Sequence, residues 1–259
     1  MLLDSGLDGC GHFQDSYYLK IVELFNSSCY LHDIVAASWY IVWPQKREAI
    51  MKTITIASTK GGSGKSTILS ALAVRAAQET PKVAMMDLNF DQGSLTHWWH
   101  VRGKPQSPFL AQNVERIPGD VRVIAAMGYE WLFIDSPPTG MDLVEQAIVV
   151  ADAVIIPVRP GFFDVIAVQT VTWMCRQHRK PFAFVLSAVD SRYKVLTRQT
   201  LAALSDLGPV LKTQISYRRP WIAALVIGKT GPELDKDLRP EIGALWGEVK
   251  CLAEKGSVQ

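Results

Sequence analysis

Cysteine is scarce in this chain, with four among 259 residues, and Cys10, Cys29, Cys175 and Cys251 show no paired spacing. That excludes a dense disulfide scaffold and a thiolate metal framework, and it fits a reducing cytoplasm. Long apolar runs are also missing. The longest near the start, residues 34–43, is about half the roughly 20 residues that a membrane-spanning helix needs. The opening segment carries Asp4 and Asp8 where a secretory signal would carry basic residues, so it does not read as one. Charge of one sign is not in excess either: 27 Lys and Arg stand against 25 Asp and Glu, a net +2. The total therefore points to no class of partner. Internal repeats and low-complexity tracts are absent.

Apolar residues make up 48% of the sequence, enough for a sizeable core in one large domain or a domain with an appendage. Residues 1–50 show no clear strand or helix period. At Met51 the texture changes, and Met-Lys-Thr-Ile-Thr-Ile-Ala alternates as a strand. We expect 51–259 to form the folded domain and 1–50 to be an N-terminal extension. Two readings of that extension stand: upstream sequence ahead of a physiological start at Met51, or a genuine arm. From Met51 onward, strand candidates at 53–58, 82–87, 131–135, 153–157, 182–188 and 210–215 alternate with helix candidates at 64–78, 141–150, 164–176, 198–207 and 240–254. Alternation of that kind, with strands rich in Val, Ile and Phe, predicts an α/β fold. Its mostly parallel, twisted sheet would be flanked by helices on both faces.

The first strand runs into Lys60-Gly61-Gly62-Ser63-Gly64-Lys65-Ser66-Thr67. A strict G-x-x-x-x-G-K-[ST] pattern would begin at residue 59, which is Thr, yet the chemistry of a phosphate loop is complete. Glycines let successive backbone N–H groups turn toward phosphate oxygens, and the helix that follows adds its positive end. Lys65 would neutralise β- and γ-phosphates and Ser66 would ligate Mg²⁺. A plain glycine turn between strand and helix needs no Lys-Ser-Thr after it.

With a second lysine ahead of its glycines, this loop resembles the deviant Walker A motif of the ParA/MinD group of ATPases. The resemblance spans about residues 52–250 and implies a P-loop NTPase fold that binds ATP and Mg²⁺. It also implies that Lys60 reaches across a nucleotide-sandwich homodimer to the partner's phosphates. A solvated loop charge is the competing reading of Lys60. The segment from Asp87 through Asn89, Asp91, Gln92, Gly93 and Ser94 is similar to the family's D-x-D-P-Q-G-S stretch, and the Leu-Thr-x-Trp tail resembles small plasmid-partition members. Asn89 occupies the register of the water-positioning aspartate. Either one residue has been inserted and Asp91 fills the gap, or the carboxylate is lost and hydrolysis is slow. Trp131-Leu132-Phe133-Ile134-Asp135 reads as the Walker B strand, with Asp135 holding a magnesium-bound water. Asp190 and Arg192, after the strand at 182–188, fall where relatives place base-contacting residues.

In that group, small members bind DNA non-specifically as ATP dimers and are released when a ParB-like adaptor stimulates hydrolysis. The resemblance thus implies a slow ATPase that segregates or positions a plasmid or other DNA cargo, in the cytoplasm and on the nucleoid. Between residues 173 and 219, nine Lys and Arg face only Asp190 and Asp206. Lys212, Arg218 and Arg219 are the expected DNA contacts. A merely solvated surface is the alternative, and Arg219 could instead pack on Trp221. Rival functions are a MinD-like membrane-placed ATPase and a ParA-like ATPase for a non-DNA cargo. The apolar stripe Ile242, Leu245, Trp246, Val249 and Leu252 has acidic flanks, which favours a helix packed on the domain, and no membrane partner is expected. A cluster-bearing reductase lacks its cysteines, and the tandem lysines argue against a small-metabolite ligase.

Overall fold

The computed structural model describes residues 51–112, 114 and 116–256. The 1–50 extension, with Cys10 and Cys29, lies outside the described residues. Strand β1, Lys52–Ile56, alternates Thr with Ile, and from Thr53 onward every residue is buried. Threonine tolerates that burial because its hydroxyl can be satisfied: Thr55 Oγ1 donates to the Ala147 carbonyl at 2.7 Å. Six further strands follow: β2 Val83–Asp87, β3 Phe109–Ala111, β4 Trp131–Asp135, β5 Ala153–Val158, β6 Phe182–Val189 and β7 Val210–Ser216. They form one parallel sheet in the order β3-β2-β4-β1-β5-β6-β7. The chain moves from central β1 toward one edge and later, through β5, toward the other. Such a switch in direction opens a crevice at the carboxyl ends of the strands, where open α/β sheets hold ligands.

Ten α-helices accompany the sheet among the described residues: α1 Lys65–Ala77, α2 Ser94–Val101, α3 Ile117–Ala126, α4 Met141–Val150, α5 Phe162–Ala167, α6 Gln169–Gln177, α7 Lys194–Leu207, α8 Pro220–Val226, α9 Gly231–Leu234 and α10 Arg239–Lys255. Helices α1, α2, α8 and α10 bury one face with Ile54, Ile56, Met85, Phe133 and Ile155. The opposite face, with Val154, Ile156, Phe184 and Leu186, lies under α4, α6 and α7, and α3 extends that cover over Met86 and Ile134. The predicted fold class is therefore the observed one.

Helix α10 carries the stripe Ile242, Leu245, Trp246, Val249 and Leu252, each at most 2% exposed. It packs on the sheet, with the Trp246 ring 4.6 Å from Trp131 and 5.8 Å from Phe133. Among the described residues no helix is long and apolar enough to cross a membrane. Helices α2 and α8 meet through the turn after α8. Trp98 Nε1 donates to the Lys229 carbonyl, and Arg102 donates to the Gly228 carbonyl and, through both terminal nitrogens, to Glu233. A side chain at Gly228 would place its first carbon 2.5 Å from the Arg102 backbone nitrogen, so only glycine allows this approach.

Several elements depart from the sequence expectation. The single helix expected over 164–176 is two, α5 and α6, joined at Val168. The Ala167 carbonyl at that junction accepts a hydrogen bond from Thr59 Oγ1 at 2.7 Å, which ties α5 to the residue ahead of the phosphate loop. Strand β3 and helices α2, α3, α8 and α9 lie in stretches where no element was expected.

Candidate nucleotide-binding site

The parallel register assembles the site. Ile56 of β1 pairs with Asp135 of β4, and Asp135 in turn pairs with Asp87 of β2. The end of β1, and hence the loop that leaves it, is brought level with both carboxylates. The loop turns at Gly62 (φ 74°) and Gly64 (φ 96°), both in the left-handed region that a side chain would strain. Helix α1 then begins at Lys65, so the first N–H groups after Gly64 have no partner within the helix and face outward. Ser187 of β6 steadies the turn by donating to the Ser63 carbonyl at 2.8 Å. Gly61 to Thr67 line a cleft of about 700 Å³ together with Asn89, Gln92, Ser94, Pro138 and Arg159. Leu95, Trp98, Leu225 and Val226 supply an apolar wall from α2 and α8.

Lys65 reaches into this cleft and is only 8% exposed. Burial lowers its pKa, and the Asp135 carboxylate opposes that shift. Asp135 is buried, and its pKa is raised to about 7, first by desolvation. Ser66 Oγ donates to Asp135 Oδ2 at 2.5 Å, while Asp135 Oδ1 is buried with no hydrogen-bond partner. The neighbouring Ser136 and Ser63 hydroxyls are likewise buried without partners. Natural interiors leave few such atoms unsatisfied, so a cluster beside a lysine and a carboxylate marks a place built for a polar guest.

The matching family model is the CobQ/CobB/MinD/ParA nucleotide binding domain, over residues 54–228. The chain belongs to this family. Among similar proteins is the maintenance of carboxysome distribution protein A of Halothiobacillus neapolitanus, 29% identical over 210 residues, covering 76% of this chain and 95% of the relative. Two solved structures share the fold. A putative plasmid partition protein from Borrelia burgdorferi bound to AMPPNP has a TM-score of 0.62 at 17% identity, covering 76% of this chain and 97% of that one. The septum site-determining protein MinD of Pyrococcus horikoshii, complexed with Mg-ADP, has a TM-score of 0.62 at 18% identity, covering 80% and 99%.

Within this family's domain, the remaining predicted site residues fall in distinct places. Lys60 does not line the cleft; its Nζ is 2.6 Å from Oδ2 of Asp164 at the start of α5. Asp87 is not among the cleft-lining residues; it lines a separate pocket with Phe90, Thr96 and His100, accepting from the backbone N–H groups of Asn89 and Thr96 and from the Thr96 hydroxyl. Asn89 does face it, with Nδ2 donating to Gln92 Oε1 at 3.2 Å. Asp91 is exposed and is not among the cleft-lining residues. Asp190 lines a neighbouring pocket of about 250 Å³ with Arg159, Ala188, Tyr193 and Tyr217. Arg192 points outward, 74% exposed, and pairs with Asp190 at 2.6 Å.

The basic stretch is more neutral in the folded chain than in the sequence. Arg218 approaches Asp235 at 3.5 Å and Asp237 at 3.9 Å, two carboxylates that sequence distance concealed. Arg176 and Lys180 donate to the Leu207 and Ala151 carbonyls. Lys212 and Arg219 are exposed, with no ion-pair partner among the described residues. Trp221 is buried against Gly231, and no cation–π contact joins it to Arg219. Arg159 was not anticipated from the sequence. The signal lay in strand alternation: Ala153 and Ile155 belong to the core on the α1 side, and Arg159 continues their parity.

Proposed function

We propose that this protein is an ATP-dependent dimerising switch that binds DNA non-specifically and positions a cargo, with a partner protein stimulating slow hydrolysis. The observation that carries the reading is the placement of two lysines on one glycine loop, Lys65 lining the cleft and Lys60 paired with Asp164 outside it. Lys65 lies inside the cleft, where it meets its own nucleotide's phosphates. Lys60 lies outside it, bound to Asp164, and in this reading serves phosphates that arrive from elsewhere. In a nucleotide-sandwich dimer that elsewhere is the partner's ATP, and the cation arrives where charge develops. ATP then favours the dimer because it touches both subunits.

Ser66 Oγ and Asp135 would hold Mg²⁺; the unsatisfied Asp135 Oδ1 and the hydroxyls around it fit an ion with its waters. The ion would supply charge neutralisation at the phosphates. Asn89, facing the cleft, would position water without readily accepting its proton, so turnover is slow. Asp91 does not fill the gap. The nucleoside end would enter the pocket of Asp190, Tyr193 and Tyr217, where the rings offer stacking surfaces and the carboxylate an acceptor. Lys212 and Arg219 remain the better candidates for phosphates of DNA, and the site of action would be the nucleoid. A second reading keeps the switch and changes the cargo: the Halothiobacillus relative is named for carboxysome distribution.

Titration with a fluorescent ATP analogue and light scattering test the division of labour. Lys65→Ala should abolish nucleotide binding, whereas Lys60→Ala should bind ATP nearly normally and fail to dimerise. Asp164→Asn, which releases Lys60, should dimerise at lower ATP. A normal ATP dimer in Lys60→Ala would remove the cross-subunit role.

A further inference from the structure

We propose that Arg159 is a phosphate-contacting residue of the nucleotide site, acting in cis from the rim of the cleft. The proposal rests on the nucleotide-binding reading above and adds a second intrasubunit cation to Lys65. Three observations place the guanidinium there. A carbon built at Gly62 would lie 3.9 Å from both terminal nitrogens of Arg159, so both ends of the fork lie beside Gly62 of the phosphate loop. Arg159 lines the main cleft with Gly61 to Thr67, and it also lines the smaller pocket with Asp190 and Tyr217. It therefore stands where one molecule bridging the two cavities must pass.

The third observation is that the fork is free. Apart from Lys65, the other cations around the site are committed: Lys60 to Asp164, Arg192 to Asp190, Arg102 to Glu233 and Arg218 to Asp235. Arg159 has no ion pair or hydrogen bond among the described residues, and it is exposed to solvent in the cleft. An arginine that makes no internal contact yet lies against a phosphate loop is a donor awaiting an anion. Its planar pair of N–H groups matches two phosphate oxygens in a way that a point charge does not.

The fold fixes this position with little freedom. Strand β5 pairs with β1 at Ile54–Ala153 and Ile56–Ile155, and the Ile155 carbonyl accepts from Ala57 as β1 leaves the sheet. Pro157 has the same parity as Ile155, so its missing N–H falls on the side that β1 has vacated, and no ladder bond is lost. Pro160 confines Arg159 to an extended backbone, which carries the strand's alternation one step further. Arg159 thus emerges on the α1 side, beside the loop.

The test titrates ADP, ATP and adenosine into the unmodified protein and into Arg159→Ala, Arg159→Lys and Lys65→Ala. Arg159→Ala should weaken ADP and ATP about tenfold each, as expected for loss of a charged hydrogen-bonding pair, and leave adenosine unchanged. Arg159→Lys should recover less than half of that loss on a logarithmic scale, because one ammonium cannot replace the fork. Wild-type ADP affinity in Arg159→Ala, with binding abolished in Lys65→Ala, would overturn the proposal alone. An equal loss for adenosine would also overturn it, by moving Arg159 to the base. Normal ADP binding in Lys65→Ala would overturn the nucleotide reading and this proposal together.

Discussion

At the scale of single residues, the most consequential group is Asp135, a carboxyl that burial keeps protonated well above its usual range. Its folded pKa of about 7 stands against about 3.9 in an unfolded chain. The native state therefore holds this proton more tightly. The stability from that preference is complete below the unfolded value and is lost as pH rises toward the folded one. Asp135→Asn removes the titration but keeps an acceptor for Ser66. Without nucleotide or magnesium, the variant should be more stable than the parent at pH 8, by on the order of 2–4 kcal/mol. The gain should shrink to about a third of that at pH 5. Urea unfolding at the two pH values measures it, and a pH-independent difference would refute the assignment. The same substitution should weaken magnesium-dependent nucleotide binding, since a neutral amide is a poorer partner for a hydrated cation.

At the scale of elements, legibility in the sequence followed the length and regularity of each signal. Strand β4 and helix α4 fall on their expected bounds because each is an unbroken run with clear ends. Strand β3 has only Phe109–Ala111, too short for any period to show. Helix α2, Ser-Leu-Thr-His-Trp-Trp-His-Val, has mostly poor helix formers and a glycine at its N-cap that supplies no capping side chain; burial of Leu95, Trp98 and Trp99 sustains it, which is a tertiary cause. The same division holds for the site. The phosphate loop, Asn89 and Asp135 were readable because contiguous residues define them. Arg159 and the Lys60–Asp164 pair were not, since each needs β5 or α5 set beside β1, about a hundred residues away. Helix α10 was legible as an amphipathic stripe, and its anchor can be tested. Trp246 is 1% exposed, packs on Trp131 and Phe133, and donates to Glu79 at 3.0 Å. Trp246→Ala should cost about 3–5 kcal/mol in urea unfolding with little change in slope. An unchanged midpoint would mean that α10 contributes nothing to the global transition.

At the scale of the whole molecule, the question is which surface the proposed switch presents. The α10 stripe is committed to the core, so it offers no apolar face to a bilayer. Cosedimentation separates the two candidate supports. ATP with magnesium should increase recovery with duplex DNA over ADP, and neither nucleotide should do so with liposomes. Arg219→Glu should weaken the DNA complex and flatten its salt dependence by roughly one counterion per subunit. Arg218→Ala should have a smaller effect, because Asp235 and Asp237 already offset that charge. Equal recovery with ATP and ADP, or recovery with liposomes alone, would exclude a nucleotide-gated DNA binder.

The near-touching backbones at Gly228 and Arg102 bear on how the proposed switch could be read from outside. Asp87 fastens the start of α2 through Thr96, and Arg102 fastens its end to the turn after α8. Held at both ends, α2 links the Asn89 loop, which Asp87 also anchors, to the turn at Gly228, and so joins the rim of the cleft to the flank that begins at Arg219.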